Sequence, residues 1–376
     1  MSLLNIILAL LVFSVIIVFH EFGHFIVAKY NKVKVIEFSL GMGPRIISTA
    51  KSKEGRKVLF FKSQNFFDEH KEYDANTVYS WKILPFGGSC MMLGEEEEVE
   101  DDSAFGKKSV LARMAIIFAG PFFNFILAFV LAVIVIGSIG YDPAKIVEVE
   151  SGSPMAEAGV EPGAIIKKIN NKKIVVNREV SYYIIFHPFS EQEVTMVLEQ
   201  EGATKEIHVT PQKVTKEDGT TVYQLGFGYG AAREKVGVLG TLKYSAYEVK
   251  FWISTTLESL WQMIRGKVSA KDISGPVGIV KTVGDVVDGS SSAGVGAVVI
   301  NLLIISILLT ANLGVMNLIP IPALDGGRLL FLIIEGIRRK PLPAKFENYV
   351  NTAGFLLLMG LMVVILVNDV WKIFGA

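Results

Sequence analysis

The segment HEFGH at positions 20–24 carries the residues in this sequence that are best suited to chemistry. On a helix, positions i and i+4 lie on one face, so His20 and His24 can bind the same metal ion. Glu21 lies beside them, where its carboxylate can take a proton from a water that the metal activates. The five-residue pattern also occurs by chance, so the surrounding sequence has to support this interpretation.

The two histidines lie in an apolar segment, residues 3–28, which is long enough to cross about 30 Å of hydrocarbon. An ionisable group at the bilayer centre costs about 2.5–3.5 kcal/mol on insertion scales. Three such groups within five residues therefore indicate a bound ligand. The alternative, buried polar residues bonded to neighbouring helices, leaves their spacing unexplained. We interpret the segment as a membrane helix rather than a signal peptide, because it lacks a cationic start and a small-residue cleavage site.

A catalytic zinc ion takes three protein ligands and leaves one position open for water. The remaining histidines fall in polar segments, and Cys90 is the single cysteine, so the third ligand should be a carboxylate. Asp325, in NLIPIPALDGG, is the best candidate. Prolines precede it and break the end of an apolar segment, while Gly326 and Gly327 allow the backbone to bend closely around it. Glu335 and Asp369 lie among ordinary flanking residues of the apolar segments.

Composition indicates membrane spans combined with a water-soluble module. Of the 376 residues, 51% are hydrophobic, which is high for a soluble enzyme, yet 20% are charged. The formal net charge is zero, so nothing favours a nucleic-acid partner. Four segments can span a bilayer: 3–28, 110–139, 298–319 and 353–367. A further segment, 242–264, is interrupted by charged residues and is predicted to be an amphipathic interfacial helix.

Lysines and arginines near the spans predict the orientation of the chain. They follow the first span, precede the second and separate the third from the fourth, so the positive-inside rule places these loops in the cytoplasm. Both termini and the region 140–297 are then outside. His20 lies roughly 17 residues into the first span, about 25 Å along it, and Asp325 follows the inner end of the third span. The candidate metal site is therefore expected near the cytoplasmic face.

The ordered motifs resemble those of the site-2 protease family of intramembrane metalloproteases, in particular its bacterial RseP/RasP type. The resemblance covers nearly the whole chain and rests on HEFGH (20–24), FSLGMGP (38–44), PFGG (85–88), AGPFFN (119–124), SGPVGI (274–279) and NLIPIPALDGG (317–327). It implies a Zn²⁺-dependent endopeptidase of the bacterial cell membrane. Its expected substrates are transmembrane segments of single-span membrane proteins, such as anti-sigma factors or signal-peptide remnants, already trimmed by an upstream site-1-type protease.

By position in these motifs, His20, His24 and Asp325 look like the zinc ligands, and Glu21 looks like the catalytic base. The family segment that contacts the substrate helix is matched by four further residues, Asn312, Asn317, Pro320 and Pro322. Helix packing and helix breaking are the alternative roles for these four. Asn124, in AGPFFN, either supports the active-site region or packs between helices.

Two further regions match parts of the family. Residues 33–88 resemble its membrane-associated β-structure, which holds an unwound substrate as an added strand. Residues 143–213 resemble a PDZ domain, although Ala164 stands where such domains usually have Asp. Gram-negative relatives carry two PDZ domains and this chain has room for one, so the Gram-positive type is favoured. Bulky outer domains in the family filter substrates by size.

The expected fold is an α-helical polytopic membrane protein with about four transmembrane helices, a membrane-associated β-structure and an extracytoplasmic PDZ-like α+β domain. The predicted division of the chain is 1–30 (first transmembrane helix), 31–109 (cytoplasmic β-region and acidic loop), 110–140 (second helix), 143–213 (PDZ-like domain), 214–297 (amphipathic helical linker), 298–330 (third helix) and 331–376 (loop and fourth helix).

Two other functional classes are alternatives to a protease. A catalytically inactive membrane scaffold could use the PDZ-like domain to recruit partners, but the intact HExxH motif and Asp325 argue against it. A transporter or channel could also bury ionisable groups. That reading explains neither the PDZ-like region nor the Pro-Pro-Asp-Gly-Gly segment.

Overall fold

A computed structural model describes residues 2–374, apart from residues 53, 74, 75, 96, 98, 216–218, 231 and 268–274. Parts of the acidic loop, of the predicted linker and of the SGPVGI motif, at Ser274, therefore lie outside the described residues. The chain forms two compact units. Unit 1 comprises residues 1–131 and 268–376, and unit 2 comprises residues 132–267.

Ten α-helices are described in chain order: α1 (Leu3–Tyr30), α2 (Gln64–Glu69), α3 (Val110–Ile139), α4 (Pro154–Glu157), α5 (Asn177–Phe186), α6 (Val238–Ile264), α7 (Pro276–Ser291), α8 (Val295–Leu318), α9 (Asp325–Arg338) and α10 (Ala344–Phe374). Eleven strands are described: β1 (Val35–Ser52), β2 (Gly55–Phe60), β3 (Val78–Met92), β4 (Ile146–Val149), β5 (Ile165–Ile169), β6 (Lys172–Lys173), β7 (Val194–Gln200), β8 (Ala203–Val209), β9 (Gln212–Thr215), β10 (Thr221–Gln224) and β11 (Phe227–Tyr229).

Four helices are long and apolar enough to cross a membrane, namely α1, α3, α8 and α10, and this confirms the predicted number of spans. The first of them begins where the Ser2 hydroxyl accepts a hydrogen bond from the backbone N–H of Asn5. α10 begins at Ala344, nine residues before the apolar segment predicted at 353. Hydropathy locates only the apolar part of a helix, whereas its hydrogen-bonded turns continue through the polar residues that precede it.

In unit 1, helices α1, α3 and α8 pack together around Val12, Ile16 and Leu127, which are buried with Leu309 and Leu313 against them. The thirty-residue α3 begins in unit 1, and its last eight residues belong to unit 2. This packing brings the middle of three apolar helices together.

A three-stranded sheet in the order β2-β1-β3 follows α1 in unit 1. β1 bends at Gly41 and Gly43, whose φ angles of +83° and +88° favour glycine. Residues 37–40 of β1 lie between residues 78–81 and residues 88–91 of β3. The last residues of β3 therefore form one margin of the sheet.

An ion pair is buried within this sheet. Glu37 is 1% exposed, and its carboxylate accepts hydrogen bonds from Arg45 Nε at 2.7 Å and Nη2 at 2.9 Å. Lys82 Nζ lies 3.4 Å away. Burial alone would raise the pKa of the Glu37 carboxyl, but the hydrogen bonds from Arg45 and Ser80 and the nearby cations hold it below its usual value. This contribution to stability is present above the unfolded pKa of a glutamate and is lost as the pH falls through the lower folded pKa.

Two carboxylates near the ends of unit 1 helices have structural partners. Glu335 accepts a hydrogen bond from Arg113 Nη2 at 2.5 Å. Asp369, which is 2% exposed, accepts hydrogen bonds from the backbone N–H groups of Gly275 at 3.1 Å and Gly278 at 2.8 Å. It therefore binds the N-terminus of α7, where backbone donors have no partner within the helix.

Unit 2 is an α+β module with a four-stranded sheet in the order β6-β5-β7-β8 and two-stranded pairs β4–β11 and β9–β10. Its core contains the fully buried side chains of Ile146, Met155, Ile166, Ile169 and Met196. The predicted amphipathic segment 242–264 lies in α6. The buried face of α6 places Phe251 and Trp252 against Tyr182 of α5.

We expect Arg45→Met to destabilise unit 1 by about 3–5 kcal/mol, because it leaves a buried carboxylate without its main partner. The matched control is Lys57→Met, which breaks the exposed pair between Lys57 and Glu54 in the same sheet and should have little effect. Thermal unfolding in detergent measures both variants. Equal apparent Tm values for the two would contradict the assignment.

Candidate metal centre

His20 and His24 lie one turn apart on α1 and are both 7% exposed. Their Nε2 atoms are 3.2 Å from each other. Asp325 Oδ2 lies 3.0 Å from His20 Nε2 and 3.5 Å from His24 Nε2. Residues about 300 positions apart in the sequence therefore bring three potential metal-binding atoms to one point.

Asp325 is the first residue of α9, and a tight segment leads into it from α8. A Cβ added to Gly326 would lie 2.2 Å from the carbonyl oxygen of Ile319, and one on Gly327 would lie 2.4 Å from that of Ile321. Only glycine fits these two positions, because the preceding backbone folds directly over the start of α9. This close turn fixes where the Asp325 carboxylate lies.

The helices α1 and α3 approach each other closely at two glycines. A Cβ on Gly23 would lie 2.3 Å from the carbonyl oxygen of Ala119. A Cβ on Gly120 would lie 2.3 Å from His24 Nε2 and 2.9 Å from His20 Cε1. The glycine of the AGPFFN segment therefore leaves the space that the two imidazole rings occupy.

α3 also contacts the outer nitrogen of each ring. His24 Nδ1 lies 2.8 Å from the carbonyl oxygen of Ile116, which can only accept a hydrogen bond. His24 therefore carries its proton on Nδ1 when neutral, and the Nε2 lone pair is free to bind a metal. His20 Nδ1 lies 3.1 Å from the side-chain amide of the buried Asn124.

Glu21 contacts the sheet rather than the ligand atoms. Its Oε2 accepts a hydrogen bond from the backbone N–H of Cys90 at 2.9 Å. A Cβ on Gly88 would lie 3.4 Å from Glu21 Cγ, so this part of β3 passes directly beside the glutamate. No sequence pattern marks this contact, because a backbone N–H is present at every non-proline residue.

The donor set suits a zinc ion. Asp325 Oδ2 is buried and accepts no hydrogen bond of normal geometry from any residue that the structure describes. Two imidazole nitrogens and one carboxylate oxygen converge at this point, all within 4.8 Å of one another. Zinc takes three such ligands in catalytic sites and leaves a position for water. The residues present therefore fit the ion.

The other residues expected in the site lie on α8 and on the segment that follows it. Asn317 Nδ2 is 3.4 Å from His20 Nε2. Asn312 lies further back on α8 and is half-buried, and Pro320 is exposed. Pro322 packs against α10, since a Cβ on Gly354 would lie 2.5 Å from Pro322 Cβ. The structure thus brings Asn317 to the ligands and places Pro322 in a helix contact.

One residue pair near the site was missed by the sequence analysis. Arg328 forms an ion pair with Glu95, and Glu95 also accepts a hydrogen bond from the backbone N–H of Met92 at 3.4 Å. Arg328 follows Asp325 by three positions on α9, so the pair joins the start of that helix to the end of β3. The spacing of Asp325 and Arg328 on one helix face was the available signal.

The sequence profile of peptidase family M50 matches residues 8–62 and 66–361. The chain belongs to peptidase family M50. A Clostridium acetobutylicum protein, CA_C1796, is 36% identical over 98% of both chains. RasP of Bacillus licheniformis, named a zinc metalloprotease, is 30% identical over 97% of this chain and 98% of its own length. The Bacillus subtilis protein named regulator of sigma-W protease RasP is 29% identical over 97% and 98%.

As a member of this family, the chain is a zinc-dependent intramembrane metalloprotease. The family does not support the two alternative functions, an inactive scaffold and a transporter. A PDZ domain of an SdrC-like protein from Listeria monocytogenes matches 24% of this chain and 90% of its own, at 14% identity and a TM-score of 0.21. A match at that level carries no argument about unit 2.

We expect Gly120→Ala to lower zinc occupancy at least tenfold, because its Cβ would overlap the His24 ring. Gly137→Ala is the matched control on the same helix, since its Cβ would meet only Thr241 Cγ2 at an ordinary 3.8 Å. Elemental analysis of purified protein measures the occupancy. Full zinc in Gly120→Ala would show that the rings do not bind the metal where they lie.

Proposed function

We propose that His20, His24 and Asp325 bind the catalytic zinc and that Glu21 is the general base for hydrolysis of peptide bonds within the membrane. One observation carries this proposal: three potential ligand atoms converge beside Glu21, whose carboxylate accepts a hydrogen bond from the margin of the sheet. When bound, zinc polarises the substrate carbonyl and makes a water more acidic.

Glu21 then moves the proton. Its carboxylate accepts a proton from the attacking water as the bond between the water oxygen and the substrate carbonyl carbon forms. It returns that proton to the leaving amine as the C–N bond breaks. The hydrogen bond from Cys90 N–H keeps one carboxylate oxygen fixed, so the other is available to the water.

We infer that the substrate lies extended along residues 88–91 of β3. These residues pair with β1 on one side only, among the residues that the structure describes. Their free side reaches Glu21 through Cys90 N–H. Strand addition at a sheet margin supplies backbone hydrogen bonds to an unwound peptide. A protease needs this conformation, because a transmembrane helix satisfies its own backbone groups internally.

Asn312, Asn317, Pro320 and Pro322 are proposed to contact the substrate on the side of α8. Support is strongest for Asn317, whose amide lies 3.4 Å from His20 Nε2 and can donate to a substrate carbonyl beside the metal. Pro320 is exposed next to it. Support is weakest for Pro322, because its contact with Gly354 is already a packing role.

The substrates are membrane proteins. We propose that they are single-span proteins such as anti-sigma factors or signal-peptide remnants. One relative is named a regulator of sigma-W, which supports regulated cleavage of a membrane protein. We further propose that a site-1-type protease trims these substrates first, and that residues 143–213, within unit 2, form a PDZ-like domain that filters them by size. A lateral gate of this kind admits a short stub and excludes a bulky outer domain.

The proposed orientation in a bacterial cell membrane follows from the positive-inside rule. Both termini and the region 140–297 are extracytoplasmic, and the β-region 31–109 lies on the cytoplasmic side with the zinc site. Basic residues near the start of α3 and near the end of α9 support this orientation; they are Lys107, Lys108, Arg113, Arg338, Arg339 and Lys340.

We expect Glu21→Gln to retain zinc and fold but to lose at least a hundredfold in cleavage rate, because an amide cannot accept the proton of water. Reconstituted enzyme would be assayed with one single-span substrate in two forms, pre-trimmed and full-length. The wild-type enzyme should cleave only the trimmed form. Substantial turnover by Glu21→Gln removes Glu21 as the base, whereas equal cleavage of both forms removes the size filter.

Cysteine labelling tests the orientation. Cys90 is itself buried, so we would use a Cys90→Ala background with single cysteines at Glu100, whose side chain is 99% exposed, or at Asn171. In intact cells an impermeant maleimide should label N171C and not E100C. Both should react after lysis, and the opposite pattern in intact cells would invert the topology.

A further inference from the structure

We propose that Asn124 is a positioning residue that sets the tautomer of His20. With zinc bound, the amide is turned so that its side-chain carbonyl oxygen accepts a hydrogen bond from His20 Nδ1–H, which directs the lone pair of His20 Nε2 towards the zinc. This inference rests on the proposed ligand set and adds to it a residue that binds neither metal nor substrate.

Geometry places the Asn124 amide where it must decide the tautomer. Asn124 Nδ2 lies 3.1 Å from His20 Nδ1 in the structure, and Asn124 is fully buried, so water does not compete for this contact. A half turn of the amide brings the side-chain oxygen to the same position, so either atom can face the ring. On the other side of the ring, His20 Nε2 is 3.0 Å from Asp325 Oδ2 and 3.2 Å from His24 Nε2. One ring nitrogen therefore faces the amide, and the other faces the ligand atoms.

The two orientations of the amide have opposite consequences for the metal. If the NH₂ group faced Nδ1, that nitrogen would have to accept, and the neutral ring would carry its proton on Nε2. That proton would then point at the other ligand atoms and block coordination. If the carbonyl oxygen faces Nδ1, the proton lies on Nδ1 and Nε2 is free. A half turn about the last side-chain torsion exchanges the two atoms without moving any neighbour.

The remaining amide atom does not favour either orientation. Asn124 Oδ1 is buried and has no hydrogen-bond partner among the described residues. After a half turn the NH₂ group occupies the same unpartnered position, so one buried polar atom is unsatisfied in both cases. The interaction that differs between them is the one with His20, and only one orientation is compatible with a bound cation.

His24 provides an internal comparison. Its Nδ1 faces the backbone carbonyl of Ile116, which can only accept, so its tautomer is fixed by the backbone of α3. Asn124 supplies the equivalent acceptor for His20 from the same helix, eight residues further along. Thr310 holds this point of α3, because its Oγ1 donates to the backbone carbonyl of Asn124 at 3.2 Å. Outer partners of this kind commonly change metal affinity 10–100-fold.

Three variants of the full-length protein in detergent test the proposal, with zinc affinity measured by competition against a chromophoric chelator. Asn124→Asp presents oxygen acceptors only and should keep zinc affinity within about threefold of the wild type. Asn124→Leu has a similar size and no acceptor, and it should lose about 10–100-fold. His24→Ala, which removes a proposed ligand, should lose more than either.

Each outcome has one meaning. Wild-type affinity in Asn124→Leu would reduce Asn124 to a packing residue, and a loss in Asn124→Asp as large as that in Asn124→Leu would show that the amide donates. Either result overturns the inference while His24→Ala still loses zinc. Full zinc in His24→Ala would instead overturn the ligand set. If Asn124→Leu fails to fold, as thermal unfolding would reveal, Asn124→Ala takes its place, with the same expected loss of zinc affinity and the same contrary outcome.

Discussion

A polar group buried at membrane depth needs a partner from the protein, because hydrocarbon offers no hydrogen bonds and little screening. In this chain His20, His24 and Asp325 bring three potential metal-binding atoms within 4.8 Å of one another. The convergence constrains the surrounding backbone. Gly120 gives the two rings their space on α3, and Gly326 lets the segment after α8 fold over the start of α9. The packing of α3 and α9 thus leaves the space that these three side chains occupy.

Glu21 differs from its neighbours because of where a helix points adjacent side chains. Successive residues on a helix are separated by about 100°, so Glu21 leaves the ligand face and reaches the margin of the sheet. There its carboxylate accepts a hydrogen bond from the backbone N–H of Cys90. One helix therefore has two adjoining surfaces: His20 and His24 face Asp325, and Glu21 faces β3. In the proposed mechanism the first surface binds the metal and the second lies beside the extended substrate. Hydrolysis requires both, since the peptide bond must be extended before it can be attacked.

Four largely buried carboxylates of unit 1 have three kinds of partner. The kind of partner distinguishes structural roles from the proposed functional one. Glu37 and Glu335 each bind an arginine. Asp369 binds the backbone donors at the start of α7. Asp325 alone among these four has a buried oxygen without a hydrogen bond of normal geometry from a described residue. The groups that lie nearest to that oxygen are the Nε2 atoms of His20 and His24, which are themselves potential metal ligands.

The sequence by itself determined the elements and the chemistry. Hydropathy located the four spans, the spacing of His20 and His24 indicated a shared metal, and the flanking prolines and glycines selected Asp325 over Glu335 and Asp369. These are properties of short segments, which local pattern can report. Tertiary structure alone decided which surfaces meet: that α3 contacts both histidine rings, that Asn124 faces His20 Nδ1, and that Cys90 N–H reaches Glu21. Such contacts join residues about 70 to 100 positions apart through backbone atoms and an ordinary amide. Their types carry no distinctive signal until packing brings them within hydrogen-bond distance.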